Sequence, residues 1–319
     1  MQITTIGFDT AKNLFQVHGA DAQGRPVLKR KLARGKVQEF FATLPRCLVG
    51  LEACAAAHYW ARELTKLGHE VRLMPPQYVR AYVKTNKHDA ADAEACCEAV
   101  TRPGMRFVPV KGEDQQSLLM LHRVREQLLK QRTATINALR AHLAEFGIVA
   151  AQRQMGLREL LQVLAQHLRG LEERTAELDR RLVEVARGDA ACARLAAVPG
   201  IGPVIATALV AMVGDARAFA SGRHLAAWAG LVPRQHSSGG KERLLGISKR
   251  GDSYLRRQLM HGARALVKVS KDREGKPWAW IDGLLARRPF NVVVAAVANK
   301  LARIAWALLT RGEDYRAVT

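Results

Sequence analysis

Residues 3–32 read ITTIGFDTAKNLFQVHGADAQGRPVLKRKL, and this stretch decides the fold of the first third of the chain. Ile3, Thr5 and the run Ile6-Gly7-Phe8 read as one strand, Leu14 to Gly19 as a second and Pro26 to Leu32 as a third. Lys12-Asn13 and Asp21 to Gly24 separate them, because Asn, Asp and Gly tolerate the backbone angles that reverse a chain. Strands joined by such short reversals form an antiparallel meander. Beyond it, Val37 to Leu44 has helical spacing, Cys47 to Leu51 is a short apolar run that fits a buried strand, and His58 to Leu67 is helical again. Glu70 to Met74 is strand-like and stops at Pro75-Pro76. A meander followed by alternating helix and strand predicts a mixed α/β sheet.

The chain has 319 residues, which favours more than one domain, since single cores stop growing near ~250–300 residues. At 48% apolar residues it can bury a core, and its 50 Lys and Arg against 29 Asp and Glu leave a net charge of +21. Such a surface excludes a cationic partner and points to a polyanion, nucleic acid first. MQITTIGFDT has no basic-then-apolar leader, and no run approaches the ~20 apolar residues of a membrane span, so a soluble cytosolic protein, nucleoid-associated and not membrane-bound, is expected. Cys47, Cys54, Cys96, Cys97 and Cys192 are odd in number and lack C-x-x-C spacing, which argues against a disulfide framework or a zinc site. They read as small buried apolar groups.

Between Pro109 and Pro199 there is no proline. Leu157, Leu161, Leu164, Leu168, Leu171, Leu178, Leu182 and Val185 recur at alternating steps of four and three, with Thr175 interrupting the seam. Ile136, Leu139, Leu143 and Phe146 make a shorter stripe before Gly147. The spacing predicts two long helices, packed as a coiled-coil hairpin within the chain or against a second protomer.

Acidic residues at strand ends in so basic a chain invite a chemical explanation. Asp9 closes the first strand, Glu52 closes Val49-Gly50-Leu51-Glu52, and Asp89 and Asp92 lie three apart on a helix, sharing a face. Each residue taken singly fits a turn or a helix N-terminus, where negative charge suits the dipole. Four converging carboxylates, however, would repel one another unless cations held them, and Mg²⁺ takes hard oxygen ligands together with substrate phosphate oxygens. Glu94 and Glu98 fit a solvated helix face.

In the last third, Val198-Pro199-Gly200-Ile201-Gly202-Pro203 leads into a small apolar helix, Val204 to Val213. Gly200 and Gly202 would let backbone N–H groups approach a phosphate, as in a helix-hairpin-helix turn, which contacts the backbone and carries no sequence readout. From Arg234 to Lys276 twelve Lys or Arg stand against four acids. Arg234, Lys241, Arg243, Lys249, Arg250 and Arg256 are the candidate phosphate contacts, interleaved with Gly and with Ser237 and Ser238. A serine hydroxyl is a poor nucleophile without activation by a base, a cation or a metal, and His236 adjoins the pair. Val292 to Leu309 reads as an amphipathic-to-apolar helix that closes the C-terminal core and is too polar for a membrane span.

The order Asp9, Glu52, Asp89, Asp92, a ribonuclease-H-like arrangement, resembles the DEDD tetrad of the RuvC-like domain in transposases of the insertion sequence 110 family. Lys87-His88-Asp89-Ala90-Ala91-Asp92-Ala93 is similar to that family's K-x-D-x-x-D-A segment. Gly230-Leu231-Val232-Pro233, Ser237-Ser238-Gly239-Gly240-Lys241 and Ile247-Ser248-Lys249-Arg250-Gly251 resemble signatures of its C-terminal transposase domain. The resemblance implies a RuvC-like α/β domain over residues 1–110, a coiled-coil region over 111–190 and a mostly helical transposase domain over 191–319. It implies DNA recombination with the four acids as Mg²⁺ ligands and a nucleophilic serine, mapped to Ser237 with Ser238 as the alternative. It further implies a structured noncoding guide RNA and a homo-oligomer, a dimer or tetramer. Two other classes remain open at this point: a metal-dependent, structure-selective nuclease using water, and a nonenzymatic architectural nucleic-acid-binding protein.

Overall fold

The computed structural model describes residues 2–83, 89–145, 147, 159–238, 241–270 and 276–316, with the side chains of 159–161 and 276–278 excepted. Lys87, His88, Phe146, Leu157, Gly239 and Gly240, and the side chain of Leu161, lie outside the described residues. The chain forms two compact units, residues 1–113 and 114–319.

In the first unit β1 (Thr5–Asp9), β2 (Leu14–Ala20) and β3 (Pro26–Ala33) make the expected meander, followed by α1 (Val37–Ala42), β4 (Leu48–Glu52), α2 (Ala57–Lys66), β5 (Glu70–Met74), the short α3 (Pro76–Val79) and α4 (Asp89–Val100). The strand order is β3-β2-β1-β4-β5. β1 pairs antiparallel with β2 and parallel with β4, so the sheet is mixed. The β2–β3 reversal is built on Asp21, whose carboxylate accepts from the backbone N–H groups of Gln23 and Arg25, while Gly24 takes φ 77°. The first strand begins at Thr5 instead of Ile3 because β1 starts where it gains its two neighbours: Thr5 pairs with Ala20 and with Leu48.

Strand alternation sends Phe8 to one face of the sheet, where it stacks on Phe15 and meets Phe41 and Trp60 edge-on. Each such aromatic pair adds about 0.5–1.5 kcal/mol beyond the area it buries. The opposite face carries α4, a helix of small residues whose Ala93, Ala95, Cys96, Cys97 and Ala99 are buried. Cys47 and Cys192 are buried as expected, but Cys54 is exposed. It sits in the loop after β4, with its sulfur 3.1 Å from the Thr10 hydroxyl, outside the apolar packing on either face.

The second unit comprises α5 (Glu113–Ala144, from its second residue), α6 (Glu159–Gly188), α7 (Ala190–Ala196), α8 (Pro203–Val213), α9 (Gly222–Trp228), the hairpin β6 (Pro233–Gln235) and β7 (Leu244–Ile247), α10 (Ser253–Val269), α11 (Lys276–Leu285) and α12 (Phe290–Arg311). Arg132 pairs with Glu172 at 2.8 Å and Arg125 with Asp179, seven residues back on α5 against seven forward on α6, as two antiparallel helices require. Leu168, Leu171 and Leu182 of the stripe are buried, and Thr175 is buried among them, its hydroxyl donating to the Leu171 carbonyl at 2.7 Å. Thr175 therefore sits within the buried stripe. Val185, in contrast, is 38% exposed and Ala186 is buried in its place. From Leu182 the inward position recurs four residues on at Ala186, as the 3.6-residue turn allows, instead of three on at Val185.

α12 corrects the expectation that no segment reaches membrane-span length, since its 22 residues are long and apolar enough by length and composition. It extends beyond the expected Val292–Leu309 by two residues at each end, from Phe290 to Arg311. Val293, Val294, Val297, Ala298, Leu301, Ala302, Ala305 and Leu308 are its buried positions, and they belong to the same hydrophobic core as Leu225 of α9 and Leu259 of α10.

Candidate metal centre and serine loop

Asp9 and Glu52 end adjacent parallel strands, in a register that pairs Phe8 with Leu51. Strand alternation puts both on the α4 face. Asp89 and Asp92 occupy the first turn of α4, and one carboxylate oxygen from each of Asp9, Asp89 and Asp92 lies within 4.8 Å of the others. The helix-terminus reading and the converging-site reading thus hold together for the two α4 acids. Glu52 lies outside that three-carboxylate set, yet its charge is felt at Asp9. Burial, Asp92, Asp89 and Glu52, in that order, push the Asp9 pKa up to about 6. Three close hard-oxygen donors with a fourth carboxylate beside them form a donor set suited to a divalent cation of the Mg²⁺ type.

Two glycines bring α4 to that position. Gly7 and Gly50 face each other in the β1–β4 register. A Cβ on Gly7 would run into the Ala93 carbonyl and lie 2.8 Å from Cys97 Cβ, and one on Gly50 would lie 2.7 Å from Val100 Cβ and 2.8 Å from the Cys96 carbonyl. With hydrogens in their place, the α4 backbone lies directly on the sheet. Its first turn then reaches the strand ends that carry Asp9 and Glu52.

In the second unit Ser237 and Ser238 lie on the loop between β6 and β7, both exposed. The Arg243 backbone N–H donates to Ser237 Oγ at 3.1 Å, and the Lys241 N–H donates to the Ser238 carbonyl at 3.1 Å. No side-chain base lies within hydrogen-bond distance of either hydroxyl among the described residues, and His236 is engaged only through its backbone, donating to the Arg243 carbonyl. Arg234, Lys241, Arg243, Lys249 and Arg250 have exposed side chains around this hairpin. Arg256 differs. Its Nη1 donates to the Ala229 carbonyl at 3.2 Å and the Arg250 carbonyl at 3.4 Å, tying together two turns in which Gly230, Lys249 and Gly251 all have positive φ.

Gly200, at φ 87° between α7 and α8, is pressed against α10, where a Cβ would lie 3.3 Å from the Gly262 carbonyl. Its lack of a side chain is explained by helix packing. Gly202 is exposed, with open space where a Cβ would be.

Two family profiles match the chain: a DEDD-type profile described as a transposase over residues 6–148, and the transposase IS116/IS110/IS902 family over residues 192–277. A probable family 20 transposase of Pseudomonas aeruginosa is 51% identical, with 99% of each chain covered. The transposase for insertion sequence element IS1328 of Yersinia enterocolitica is 42% identical over 97% of this chain and 98% of its own. The chain belongs to the IS110/IS116 transposase family. A pilin gene-inverting protein of Moraxella bovis is more distant, 26% identical over 77% of this chain and 74% of its own.

As an IS110-family transposase the protein is an enzyme acting on DNA, and its DEDD domain implies use of a divalent metal. The DEDD profile spans all four acids, and the second spans the Gly200 turn, the serine loop and Arg256. Sequence reasoning singled out each of these but missed two features of this transposase. The packing role of Gly7 and Gly50 had a signal in the sequence, since each lies two residues before a candidate acid, Gly7 before Asp9 and Gly50 before Glu52. Gln16, which pairs with Asp9 in the sheet and is only 7% exposed, had none, because an isolated Gln in a strand reads as a surface residue.

Proposed function

We propose that this transposase cuts and rejoins DNA through a covalent serine intermediate, with Asp9, Glu52, Asp89 and Asp92 as ligands of Mg²⁺ and Ser237 as nucleophile. The observation that carries the metal half is the convergence of three carboxylates at a site where Asp9 is already pushed toward its neutral form. A bound divalent cation would supply Lewis-acid stabilisation of charge on a phosphodiester. The four acids would hold it, Asp9 and Glu52 from the strand ends and Asp89 and Asp92 from the first turn of α4. In the serine step the Ser237 Oγ–P bond forms as one P–O bond to deoxyribose breaks. The hydroxyl proton leaves Ser237 and a proton reaches the departing sugar oxygen.

Ser237 is preferred to Ser238 because the Arg243 N–H fixes its oxygen, and Lys241 and Arg243 supply cationic charge beside it. With no base near the hydroxyl among the described residues, the loop relies on groups brought from elsewhere, from the acidic centre or a second protomer. A covalent intermediate conserves the phosphodiester energy for rejoining, which inversion of a DNA segment, the activity in the name of the Moraxella relative, also demands.

The wider reading keeps three parts, 1–110, 111–190 and 191–319, with the α5–α6 region as the coiled-coil assembly surface of a dimer or tetramer. The partners are donor and target DNA and a structured guide RNA from the element itself, in the cytoplasm at the nucleoid. The charge of +21 supports polyanion binding, and the guide RNA rests on the family resemblance. The competing reading, a nuclease that uses the acids with water, is favoured by the gathering of Asp9, Asp89 and Asp92 within the first unit. A suicide DNA substrate decides between them. The expected result is a DNA adduct on the peptide containing residues 236–241, lost in Ser237→Ala; an adduct on Ser238 moves the nucleophile by one residue. Efficient cutting with free ends by the Ser237→Ala, Ser238→Ala double variant would establish the water mechanism.

A further inference from the structure

The face of the sheet that carries Asp9 continues past it. In the antiparallel registers Asp9 pairs with Gln16 and Gln16 with Lys31, so acid, amide and cation form one row across β1, β2 and β3. Two residues along the strands, the next row on the same face is Gly7, His18 and Lys29. Neighbouring strands stand about 4.8 Å apart, which puts Lys31 about two strand spacings from Asp9 at the outer strand. Between these rows and α4 lies a cleft of about 230 Å³, lined by Gln16, His18, Lys29, Lys31, Ala90 and Glu94 among others.

Two features of the cleft lack an internal explanation. Gln16 is 7% exposed overall and lines the cleft, and its carboxamide, which is not among the buried unpartnered polar groups, makes no hydrogen bond among the described residues. Lys29 and Lys31, on the same face of β3, are both exposed. Lys29 lies 3.9 Å from Glu94, whereas Lys31 has no carboxylate within 4.0 Å among the described residues. Arg30, between them, points to the other face and lies over the Phe40 ring.

We infer that Gln16 and Lys31 form a positioning track for the DNA strand that enters the acidic centre, with Lys31 neutralising a phosphate next to the one at Asp9 and the Gln16 carboxamide bonding the backbone between them. Glu94 sets the side of the track by holding Lys29 and facing His18, at 4.0 Å. A lysine suits this place, since a point charge on a flexible stem can follow a phosphate that moves during strand transfer. The inference rests on the acidic centre being where DNA is cut, but it concerns binding and is tested by binding.

The test uses the full chain in an Asp9→Asn background without metal, so that nothing is cut, and a fluorescent duplex containing the element's own end. Lys31→Gln should raise Kd about threefold to tenfold and reduce the slope of log Kd against log salt by about one, the signature of a lost phosphate contact. Gln16→Met, which keeps the volume, should weaken binding severalfold with the slope unchanged. Lys36→Gln is the control, since Lys36 is ion-paired to Glu39 at 2.8 Å and lies off the row. If Lys31→Gln behaves like Lys36→Gln, or Gln16→Met binds as tightly as its parent, the track is overturned. A slope change seen only with an RNA hairpin in place of the duplex overturns the assignment to DNA. Cutting by Asp9→Asn with Mg²⁺ restored would sink the acidic-centre reading separately, while the salt slopes would still report on the track.

Discussion

Gly7 and Gly50 lie side by side across the parallel β1–β4 pair, and the backbone of α4 occupies the space their side chains would fill. This close approach is what lets a helix from one part of the chain and two strand ends from others form a single acidic centre.

Gly7→Ala should therefore damage both stability and activity. A methyl group against the Ala93 carbonyl forces α4 outward, and overpacking of this kind costs about 1–3 kcal/mol. Urea unfolding should show a lowered midpoint with an unchanged slope, and strand cutting should fall further than the unfolded fraction explains, because Asp89 and Asp92 move with α4. A variant with native stability and native cutting would show that α4 does not rest on Gly7.

Asp9→Asn should stabilise the metal-free protein while abolishing cutting. Asp9 in the folded chain has its pKa raised to about 6 from 3.8. The folded state thus binds this proton more tightly than the unfolded state, and the stability due to the neutral form is lost as pH rises through about 6. At pH 7 without metal the charged form is a burden, reduced by its partial exposure, so the gain on substitution is about 1 kcal/mol. Unfolding in chelator at pH 7 and pH 4 checks this: the gain should be present at the first and much smaller at the second.

His122 should make the second unit acid-sensitive. It is 1% exposed, its Nδ1 lies 3.0 Å from the Tyr254 hydroxyl, and burial and then Arg125 hold its pKa down near 4 against an ordinary 6.5. The unfolded chain takes up the proton first, so stability is complete above about pH 6.5 and declines as pH falls toward 4, by about 2–3 kcal/mol. His122→Gln retains a partner for Tyr254 and cannot titrate in this range. The pH profile of its unfolding midpoint should be flatter over that interval than that of the native chain; an identical profile would show that His122 is not the sensor.

Arg256 and Arg243 should separate by phenotype. Arg256 donates to two backbone carbonyls that join the Gly230 and Gly251 turns. Arg256→Lys loses the planar fork and should lower stability by about 1–2 kcal/mol. Arg243 is exposed beside the serine loop, and Arg243→Gln should leave the melting temperature unchanged while reducing the salt slope of DNA binding by about one. Matched denaturation and salt-titration curves on both variants test the division.

Local elements follow from neighbouring residues. The meander of residues 5–33, the strand at Glu70–Met74, two long helices in the proline-free middle and the acids at strand ends were all legible, because strand and helix periodicity and turn chemistry are properties of neighbouring residues. Tertiary structure decided what neighbouring residues cannot specify. The parallel pairing of β1 with β4 put Asp9 beside Glu52, and two glycines admitted α4 to complete the group. The inward position of α6 passed from Val185 to Ala186, and the Thr175 hydroxyl found its partner one turn back at Leu171. Cys54, which composition grouped with the buried thiols, came out exposed, and Arg256, one cation among twelve in its segment, became a structural tie. In each case the outcome depends on which distant backbone comes within a few ångströms, a quantity set by register and packing across the whole unit.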